Sequence, residues 1–381
     1  MPKIIVVQPS VPFYRYGYFS RVAERLGKSF SVYASPGNLN VLSERDSIPA
    51  WEFPLPTMRH LAPKIHWQPG VLSIAIEKDD IVVVSGAPRC LSNIALLIKA
   101  RMRGATTIWW GHYWSSTSRK WSATVRMALM HLSDALLFYT DQEKTEYLAA
   151  TKTRRRIPLF ALNNGVETSQ IASLRQPYCT KSRKRDLVYI GRVIQKSNLD
   201  LLIDALSQPS CAGVTLDIIG DGDDKARLQA RCTELNLAER ITWHDGTVDE
   251  AKIAAVFNRC KIFVYPGAVG LSLVHALAYG LPVIVHGDRW KHGPEFAALK
   301  TGDNGHTFAN GDLAALSEVI AGTLAKPADL ACMSASAIAT TDESFNAADM
   351  ADRFCDAIAS LLDPDTASAC GLQAMTSTSI D

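Results

Sequence analysis

The sequence predicts an α/β protein made of two doubly wound, parallel-sheet domains. Short apolar stretches that suit buried strands alternate with amphipathic helical patterns along most of the 381 residues. This length is enough for two domains with separate cores. The stretch 262–285 is uncharged and long enough to span a membrane, but prolines and glycines at 266–267 and 280–282 would break a spanning helix. It therefore predicts a strand, a glycine turn, a short helix and another strand inside a sheet.

The first half of the chain begins as doubly wound sheets begin. A predicted strand at 3–8 leads through a glycine-containing loop into an amphipathic helix with Phe19, Val22 and Leu26 on one face. Further strands are predicted at 31–34, 81–85, 106–110, 135–139 and 158–163, and helices near 90–103, 119–132 and 142–150. This alternation predicts a parallel sheet.

A histidine follows one of these strands. His112 comes directly after the strand at 106–110, at the sheet edge where open α/β sheets hold their ligand groups. It is expected either to contact a ligand or to pack against its neighbours.

Positive charge is concentrated in the first half. Residues 1–180 hold 22 Lys+Arg against 12 Asp+Glu, which leaves 18 against 26 for the remainder. Basic side chains accompany the helix near 119–132 and form a run at 152–156. The apolar positions of that helix are Trp121, Val125, Ala128 and Leu132. This face is expected either to contact the core or to rest on an anionic membrane, and a phosphorylated acceptor would also suit the charge.

The second half repeats the alternation. Strands are predicted at 186–191, 214–220, 241–244, 262–265 and 281–285, and helices at 199–207, 225–237, 249–259, 271–279 and 311–325. We expect a first domain over 1–167, a polar linker over 168–186, a second domain over 187–345, a closing helix over 346–362 and a disordered tail over 363–381.

The glycine turn at 266–270 predicts an anion site. The helix that follows it has no intrahelical partner for its first backbone N–H groups, near Gly270 and Leu271, and the helix dipole favours negative charge there. Phosphate is the expected guest.

Four segments of the second half resemble the glycosyltransferases of family 4, or group 1, in order and spacing. They are LVYIGRVIQKSNLDLLIDAL, LDIIGDGDDKARLQARCTELNLAERITWHDG, YPGAVGLSLVHALAYGLPVIVHG and GPEFAALKTGDNGHTFANGDLAAL, and ALNNGVE resembles the end of that family's first domain. The resemblance implies the GT-B fold, with two Rossmann-like domains facing a cleft. It also implies a nucleotide-sugar donor on the second domain, an acceptor on the first, retention at the anomeric carbon, and no metal or other cofactor.

The resemblance extends to site residues. Arg192 corresponds to the family's diphosphate-binding arginine, whose charge would stabilise the leaving group. The usual lysine position falls on Ser197, with Lys196 one residue earlier, and the alternative is a solvated pair of cations. His112 corresponds to the family's first-domain histidine. We expect His112, Arg192 and Lys196 to be catalytic, and Gly267, Ala268, Val269, Gly270, Leu271 and His275 to bind the donor.

Two family glutamates are absent. The family usually has one that meets the donor sugar and another, eight positions later, that meets the ribose; Gly267 and His275 occupy these positions. His275 could still bond a ribose hydroxyl through a ring nitrogen. Sugar selection is then expected to depend on the N–H groups of 268–271 or on the cationic segment 289–292, through Arg289, Lys291 and His292.

A rival motif is Asp221-Gly222-Asp223, because two carboxylates at this spacing can share Mg²⁺ or Mn²⁺. Their place in a strand-to-helix turn favours a structural role. No metal is expected.

Three functions remain open at this point. The first is a glycosyltransferase that uses a nucleotide sugar and a glycan or lipid-linked acceptor in cell-surface polysaccharide or glycolipid synthesis, without nucleic acid as a partner. The others are an isomerase or hydrolase of sugar nucleotides on the same fold, and a catalytically silent partner subunit. Eight cysteines without a C-x-x-C pair and an N-terminus that reads as a strand indicate a reduced, cytoplasmic protein, with an anionic inner membrane face as an expected contact.

Overall fold

The computed structural model describes residues 1–36, 38, 48–113, 120–151 and 157–372, without the side chains of 120–123. It divides into two compact units. The first comprises Met1–Asn163 and Ala347–Asp381, and the second comprises Asn164–Asn346. Each unit is built around its own parallel sheet, which confirms the predicted fold class.

The first unit has a seven-stranded sheet in the order β3-β2-β1-β6-β7-β8-β9, with parallel neighbours throughout. Its strands are β1 (Ile4–Val7), β2 (Phe30–Ala34), β3 (Glu52–Pro54), β4 (Arg59–Ala62), β5 (Ile65–Trp67), β6 (Ile81–Ser85), β7 (Thr106–Trp110), β8 (Ala135–Phe138) and β9 (Leu159–Ala161). Its helices are α1 (Tyr16–Leu26), α2 (Leu91–Met102), α3 (Lys120–Met130), α4 (Asp141–Ala150), α12 (Ala347–Ala359) and α13 (Pro364–Ala369). β4 and β5 form a separate antiparallel pair.

The C-terminal part of the chain completes the core of this first unit. α12 corresponds to the predicted closing helix, and its Phe354 packs edge-on against Tyr18 of α1 and Phe30 of β2, at centroid distances of 6.1 and 6.3 Å. The prediction of a disordered tail from 363 is wrong for its first part, because Asp363 caps α13 by accepting a 3.0 Å hydrogen bond from the Thr366 N–H. Residues 373–381 lie outside the described part.

The second unit has a six-stranded parallel sheet in the order β12-β11-β10-β13-β14-β15. Its strands are β10 (Arg185–Ile190), β11 (Leu216–Ile219), β12 (Ile241–His244), β13 (Cys260–Tyr265), β14 (Val283–His286) and β15 (Gly305–Phe308). Its helices are α5 (Thr168–Leu174), α6 (Leu199–Leu206), α7 (Lys225–Glu234), α8 (Glu250–Phe257), α9 (Leu271–Ala278), α10 (Leu313–Leu324) and α11 (Pro327–Glu343). The strand order reverses between β10 and β13, which marks this point as the expected ligand crevice.

The predicted linker at 168–186 is misplaced. The boundary lies at 163/164, and the segment belongs to the second unit, where it forms α5 and the start of β10. Arg183, in a basic run that suggests solvent, is buried and donates to the carbonyl oxygens of Phe257 at 2.8 Å and Cys260 at 2.6 Å. The cation thus satisfies buried carbonyls, which a charge count cannot reveal.

The helix near 119–132 does not bury the predicted face. Val125 and Leu132 are 48% and 37% exposed, whereas Met130 is buried. Trp121 and the basic run 152–156 fall outside what the structure describes. Of the helices in the described residues, none combines the length and apolar character needed to cross a bilayer.

A buried carboxylate ties the strands of the second unit together. Asp217 of β11 is fully buried and accepts hydrogen bonds from Arg185 Nε at 2.7 Å, Arg259 Nη2 at 2.6 Å and His244 Nε2 at 2.7 Å. Burial alone would raise the pKa of this carboxyl, but the hydrogen bonds from His244 and Arg185 outweigh it and hold the pKa below its ordinary value.

Candidate functional site

Two loops meet where the strand order of the second unit reverses. One follows β10 and carries residues 191–198, and the other follows β13 and carries 266–270. β10 and β13 pair side by side, so both loops leave the same edge of the sheet. Every predicted site residue except His112 belongs to these loops or to α9, which follows the second loop.

Gly267 lets the two loops touch. A Cβ added at this position would collide with the carbonyl oxygen of Lys196 and would lie 2.7 Å from the carbonyl carbon of Ser197. Real Cβ atoms do not approach backbone so closely, and any side chain here would push the first loop away. The space that a glutamate side chain would need at this position is occupied by backbone of the neighbouring loop. This explains physically why the carboxylate is absent.

A second glycine holds the same loop from the other side. A Cβ at Gly222 would collide with the carbonyl oxygen of Val193, and Val193 N–H donates to the Asp221 carbonyl at 2.9 Å. The Asp221 carboxylate accepts from Lys225 Nζ at 2.6 Å and from Gly246 N–H at 2.6 Å. These contacts support the structural interpretation of Asp221-Gly222-Asp223.

The first loop presents its cations and turns its serine inward. Arg192 and Lys196 are exposed, whereas Ser197 is buried and its hydroxyl donates to the Arg192 carbonyl oxygen. Ser197 therefore helps to close the loop, and Lys196 is the residue at this place with a cation to offer. Asn198, in the left-handed conformation with φ 53°, ends the loop before α6.

The N-terminus of α9 meets the second loop without a side-chain cap. Among the predicted donor-binding amides, that of Val269 is already engaged, because its N–H donates to His292 Nδ1 at 3.1 Å. Among the described residues, the backbone amides of Ala268, Gly270 and Leu271 have no acceptor, which leaves these three N–H groups for an anion.

His292 is a structural histidine, not a free contact for a sugar. Its Nδ1 accepts from Val269, and its Nε2 donates to the His286 carbonyl oxygen at 2.8 Å. The ring stacks between those of His286 and Phe296, at 3.8 and 4.6 Å. Both nitrogens are occupied in the neutral form, and burial lowers the pKa of His292 to about 4.

This pKa predicts acid sensitivity of the second unit. The unfolded imidazole, with a pKa of about 6.5, takes up a proton that the folded state refuses, so stability is lost as the pH falls from about 6.5 towards 4. We expect the free energy of unfolding to decrease by up to about 3 kcal/mol over this window, as measured by urea titration at a series of pH values. His292→Gln should show a weaker pH dependence, and an unchanged slope in this variant would contradict the assignment.

A carboxylate that the sequence analysis did not single out lies beside the phosphate turn. Glu295 is buried, accepts a hydrogen bond from Asn164 Nδ2, and has its Oε2 atom 3.8 Å from the position of a Cβ on Gly270. Its place in the segment GPEFAAL, directly after a loop at the sheet edge, was the available signal. A carboxylate at this point would accept hydrogen bonds from the hydroxyl groups of a ligand and would repel a further negative charge.

His275 lies in the second turn of α9 and contacts a carboxylate rather than backbone. Its Nε2 lies 2.8 Å from Glu250 Oε1, which also accepts from the Tyr279 hydroxyl at 2.6 Å. Burial tends to raise the pKa of Glu250, but the hydrogen bonds from His275 and Tyr279 hold it below its ordinary value. The carboxylate is therefore ionised at neutral pH, and Nε2 is the protonated nitrogen of the ring.

Replacement of His275 tests its predicted contact with the donor. We expect His275→Ala to weaken nucleoside diphosphate binding by about 1–2 kcal/mol, the cost of one lost buried hydrogen bond, as measured by calorimetric titration. Tyr279→Phe is the matched control, because it removes the other donor to the same Glu250 oxygen. If both variants melt at a lower temperature and bind nucleoside diphosphate with unchanged affinity, the hydrogen-bonded group of His275, Glu250 and Tyr279 contributes to stability alone.

His112 belongs to the first unit, at the carboxyl end of β7. Its Nδ1 lies 2.6 Å from Oε1 of the buried Glu143, and its ring packs against that of Tyr139 with a centroid distance of 4.3 Å and an interplanar angle of 36°. Glu143 is itself fixed by an N–H bond from Tyr139 at 3.2 Å. Since Nδ1 donates to the carboxylate, the tautomer leaves Nε2, which has no partner among the described residues, with a lone pair for a ligand.

Most of the second unit matches a known protein family. Residues 170–339 match the family described as glycosyl transferases group 1. The chain is 29% identical over 187 residues to the lipopolysaccharide 1,6-galactosyltransferase of Escherichia coli (strain K12), covering 43% of this chain and 50% of that protein. It is 28% identical over 169 residues to the phosphatidyl-myo-inositol mannosyltransferase of Mycobacterium leprae (strain TN), covering 42% and 43%. The match thus spans about half the length of these relatives.

Solved structures resemble the chain over nearly its full length. The crystal structure of Anabaena HepE in complex with UDP superposes with a TM-score of 0.68 at 18% identity, covering 94% of this chain and 100% of that one. The apo form of the lipopolysaccharide outer core galactosyltransferase WaaB gives 0.63 at 17% identity, covering 95% and 100%. At these identities the likeness shows the fold, which is GT-B.

Proposed function

We propose, from the premise that the second unit belongs to the glycosyl transferases group 1 family, that this protein is a glycosyltransferase. It transfers a sugar from a nucleotide-sugar donor to a glycan or lipid-linked acceptor in cell-surface polysaccharide or glycolipid synthesis. The relatives named as a lipopolysaccharide galactosyltransferase and a phosphatidyl-myo-inositol mannosyltransferase support this class of acceptor.

One observation carries the proposal. The loop with Arg192 and Lys196 is clamped between Gly222 and Gly267, next to the uncapped N-terminus of α9. When the bond between the sugar and the diphosphate breaks, negative charge grows on the leaving phosphate oxygen. Two cations and a row of free amides that are already in place stabilise this charge without reorganisation. HepE, which was crystallised with UDP, suggests UDP-sugars as the first donors to test.

The same charge complement leads us to propose a metal-independent reaction. Arg192, Lys196 and the amides of α9 supply the positive charge that a divalent cation would otherwise provide, and Asp221 is already bonded to Lys225 and Gly246. Turnover should therefore be unchanged in EDTA, and a requirement for added Mg²⁺ or Mn²⁺ would refute this part. Retention at the anomeric carbon is tested by the anomeric coupling constant of the product.

In the first unit, His112 is proposed to act on the acceptor side. Glu143 fixes its ring through Nδ1, so that Nε2 can accept a hydrogen bond from a sugar or acceptor hydroxyl. Without Glu143, neither the tautomer nor the orientation of the His112 ring would be fixed.

A screen of UDP-, GDP- and dTDP-sugars by thermal shift identifies the donor, because a ligand at 100 times its Kd adds about 2.7 kcal/mol of stability. Nucleotide release is then measured with and without candidate acceptors. Release that depends on the acceptor supports a transferase, and release without one indicates a hydrolase. Conversion of the donor without nucleotide release indicates an isomerase, and absence of both reactions with bound donor indicates a silent subunit.

We also propose a cytoplasmic location, with attachment to the anionic inner face of the membrane. The exposed apolar side chains of Val125 in α3 and of Leu132, two residues after α3 ends, and the excess of basic residues in the first half support it. Sedimentation with phosphatidylserine vesicles should be salt-sensitive, and sedimentation no greater than with neutral vesicles would refute the attachment.

A further inference from the structure

A cavity of about 180 Å³ lies in the first unit, at the edge of the sheet where its strands end. Gln8 follows β1, Ser85 ends β6, Trp110 ends β7 and Tyr139 follows β8, and all four line the cavity together with Ser10 and Arg15. The volume is several times that of a water molecule, about 30 Å³ in the liquid, and is sufficient for a phosphate or carboxylate group.

Arg15 is buried in the wall of this cavity without a counter-charge. The residue is 8% exposed. The single hydrogen bond of its side chain within the described residues goes from Nη1 to the thioether sulfur of Met350 at 3.5 Å, and no carboxylate there forms an ion pair with it. Burying a guanidinium without an anion is costly, and a guanidinium carries five donors. Most of these donors are left without an acceptor.

Aromatic rings provide part of the compensation. The Arg15 guanidinium carbon lies 5.6 Å from the ring centroid of Tyr14, 5.5 Å from that of Trp110 and 5.9 Å from that of Tyr139. Such contacts stabilise a cation, but they accept no N–H bond in the plane of the guanidinium. The rings thus hold the cation in place and leave its hydrogen-bonding edge for another group.

The composition of the wall points to the same type of guest. The residues that line the cavity, all of them in the described part of the chain, include no aspartate or glutamate. A cavity with a guanidinium and no acid in its wall suits an oxyanion, which accepts charge-assisted hydrogen bonds from the guanidinium N–H groups.

We propose that this cavity binds an anionic group, a phosphate or carboxylate, carried by the sugar acceptor. The inference rests on the proposed function and specifies its substrate class. The proposed donor-binding residues belong to the other unit, whereas Tyr139 lines this cavity and also packs against the ring of His112 at a centroid distance of 4.3 Å. An acceptor anchored at Arg15 by its charged group would place its hydroxyls on the side of His112.

The test follows the Arg15 side chain itself in the absence of donor. The arginine Nε–Hε signals of ¹⁵N-labelled protein are recorded, and that of Arg15 is identified by its loss in Arg15→Lys. Glucose 1-phosphate, glucuronate and glucose are then titrated at constant ionic strength. We expect saturable displacement of the Arg15 signal by one or both anions and none by glucose. Comparison of the glucose 1-phosphate and glucuronate titrations shows whether the phosphate or the carboxylate binds more tightly.

Variants provide the affinity test. Arg15→Met should weaken binding of the preferred anion at least tenfold. Arg25→Met should leave it unchanged, since Arg25 lies in α1, the helix that Arg15 directly precedes, but forms an ion pair with Asp352. If Arg15→Met does not fold, Arg15→Lys serves instead, because it keeps the charge and loses the planar fork that matches an oxyanion. An Arg15 signal that neither anion displaces, or affinity unchanged in the variant, would overturn the proposal. Because no donor is present, either outcome is independent of whether the protein proves to be a transferase.

Discussion

Replacing Arg192 with alanine should lower kcat/KM by about 10²–10³-fold, or roughly 3–4 kcal/mol of transition-state stabilisation. The guanidinium is exposed at the ligand edge of the sheet and is held there by a loop with glycine contacts on both sides. Its charge matters most when the diphosphate leaves, so kcat should fall more than KM rises. Steady-state kinetics with the donor identified by the thermal-shift screen measure this effect.

Neighbouring positions of the same loop supply the controls. Lys196→Ala should cause a loss of similar size, because Lys196 is the second exposed cation of the loop. Ser197→Ala removes the hydroxyl that closes the loop onto the Arg192 carbonyl and should lower the melting temperature more than the activity. Full activity in Lys196→Ala together with an inactive, well-folded Ser197→Ala would show that the serine position contacts the donor.

Replacing Asp217 with alanine should destabilise the second unit by about 3 kcal/mol, the lower end for breaking a buried ion pair, because Asp217 is fully buried whereas its partners are 19–43% exposed and can be partly rehydrated. Arg185, Arg259 and His244 all donate to this carboxylate at 2.6–2.7 Å. Urea denaturation near pH 7 measures the change. Asp245→Ala is the matched control, since Asp245 is 95% exposed and contacts only Lys225 among the described residues, and it should cost less than about 1 kcal/mol.

The pH dependence follows from the lowered pKa of Asp217. Its stabilising contribution is present above the unfolded pKa, about 3.9, and is lost as the pH falls through the lower folded value. Asp217→Ala should therefore be less stable than the parent protein near neutrality, and the difference should narrow in strong acid. A difference that persists at the lowest pH where both still fold would assign the effect to packing instead of charge.

Strands and the helices between them were largely predictable. The stretches 81–85 and 106–110 coincide with β6 and β7, because parallel strands buried on both faces are mainly apolar runs. The stretch 241–244 coincides with β12, a partly buried strand at the edge of its sheet. α11 was missed. It is rich in Ala, Ser and Thr and packs closely on Gly280, where a Cβ would lie 2.7 Å from Ser334 Oγ. Close packing selects small side chains, and these weaken the periodicity that identifies a helix.

The candidate site was predictable in position but not in detail. Its place at the strand ends follows from topology, and Arg192 follows β10 as expected. The reason for Gly267 lies in backbone of a loop about 70 residues earlier in sequence, and the partners of His112 and His275 are Glu143 and Glu250. Such contacts depend on which elements become neighbours, which local sequence does not encode.

The second unit is inserted, in chain order, between the two parts of the first. The points where the chain enters and leaves it adjoin: Val166 pairs with Asn346, and Val166 N–H donates to the Phe345 carbonyl at 3.2 Å. This arrangement sets an order on the ribosome, where chains emerge from the N-terminus. Residues 1–163 emerge first but must wait for Phe354 and the rest of α12 to cover Tyr18 and Phe30. The inserted unit, complete at Asn346, can finish folding earlier, and the nascent first unit exposes its apolar face throughout that interval.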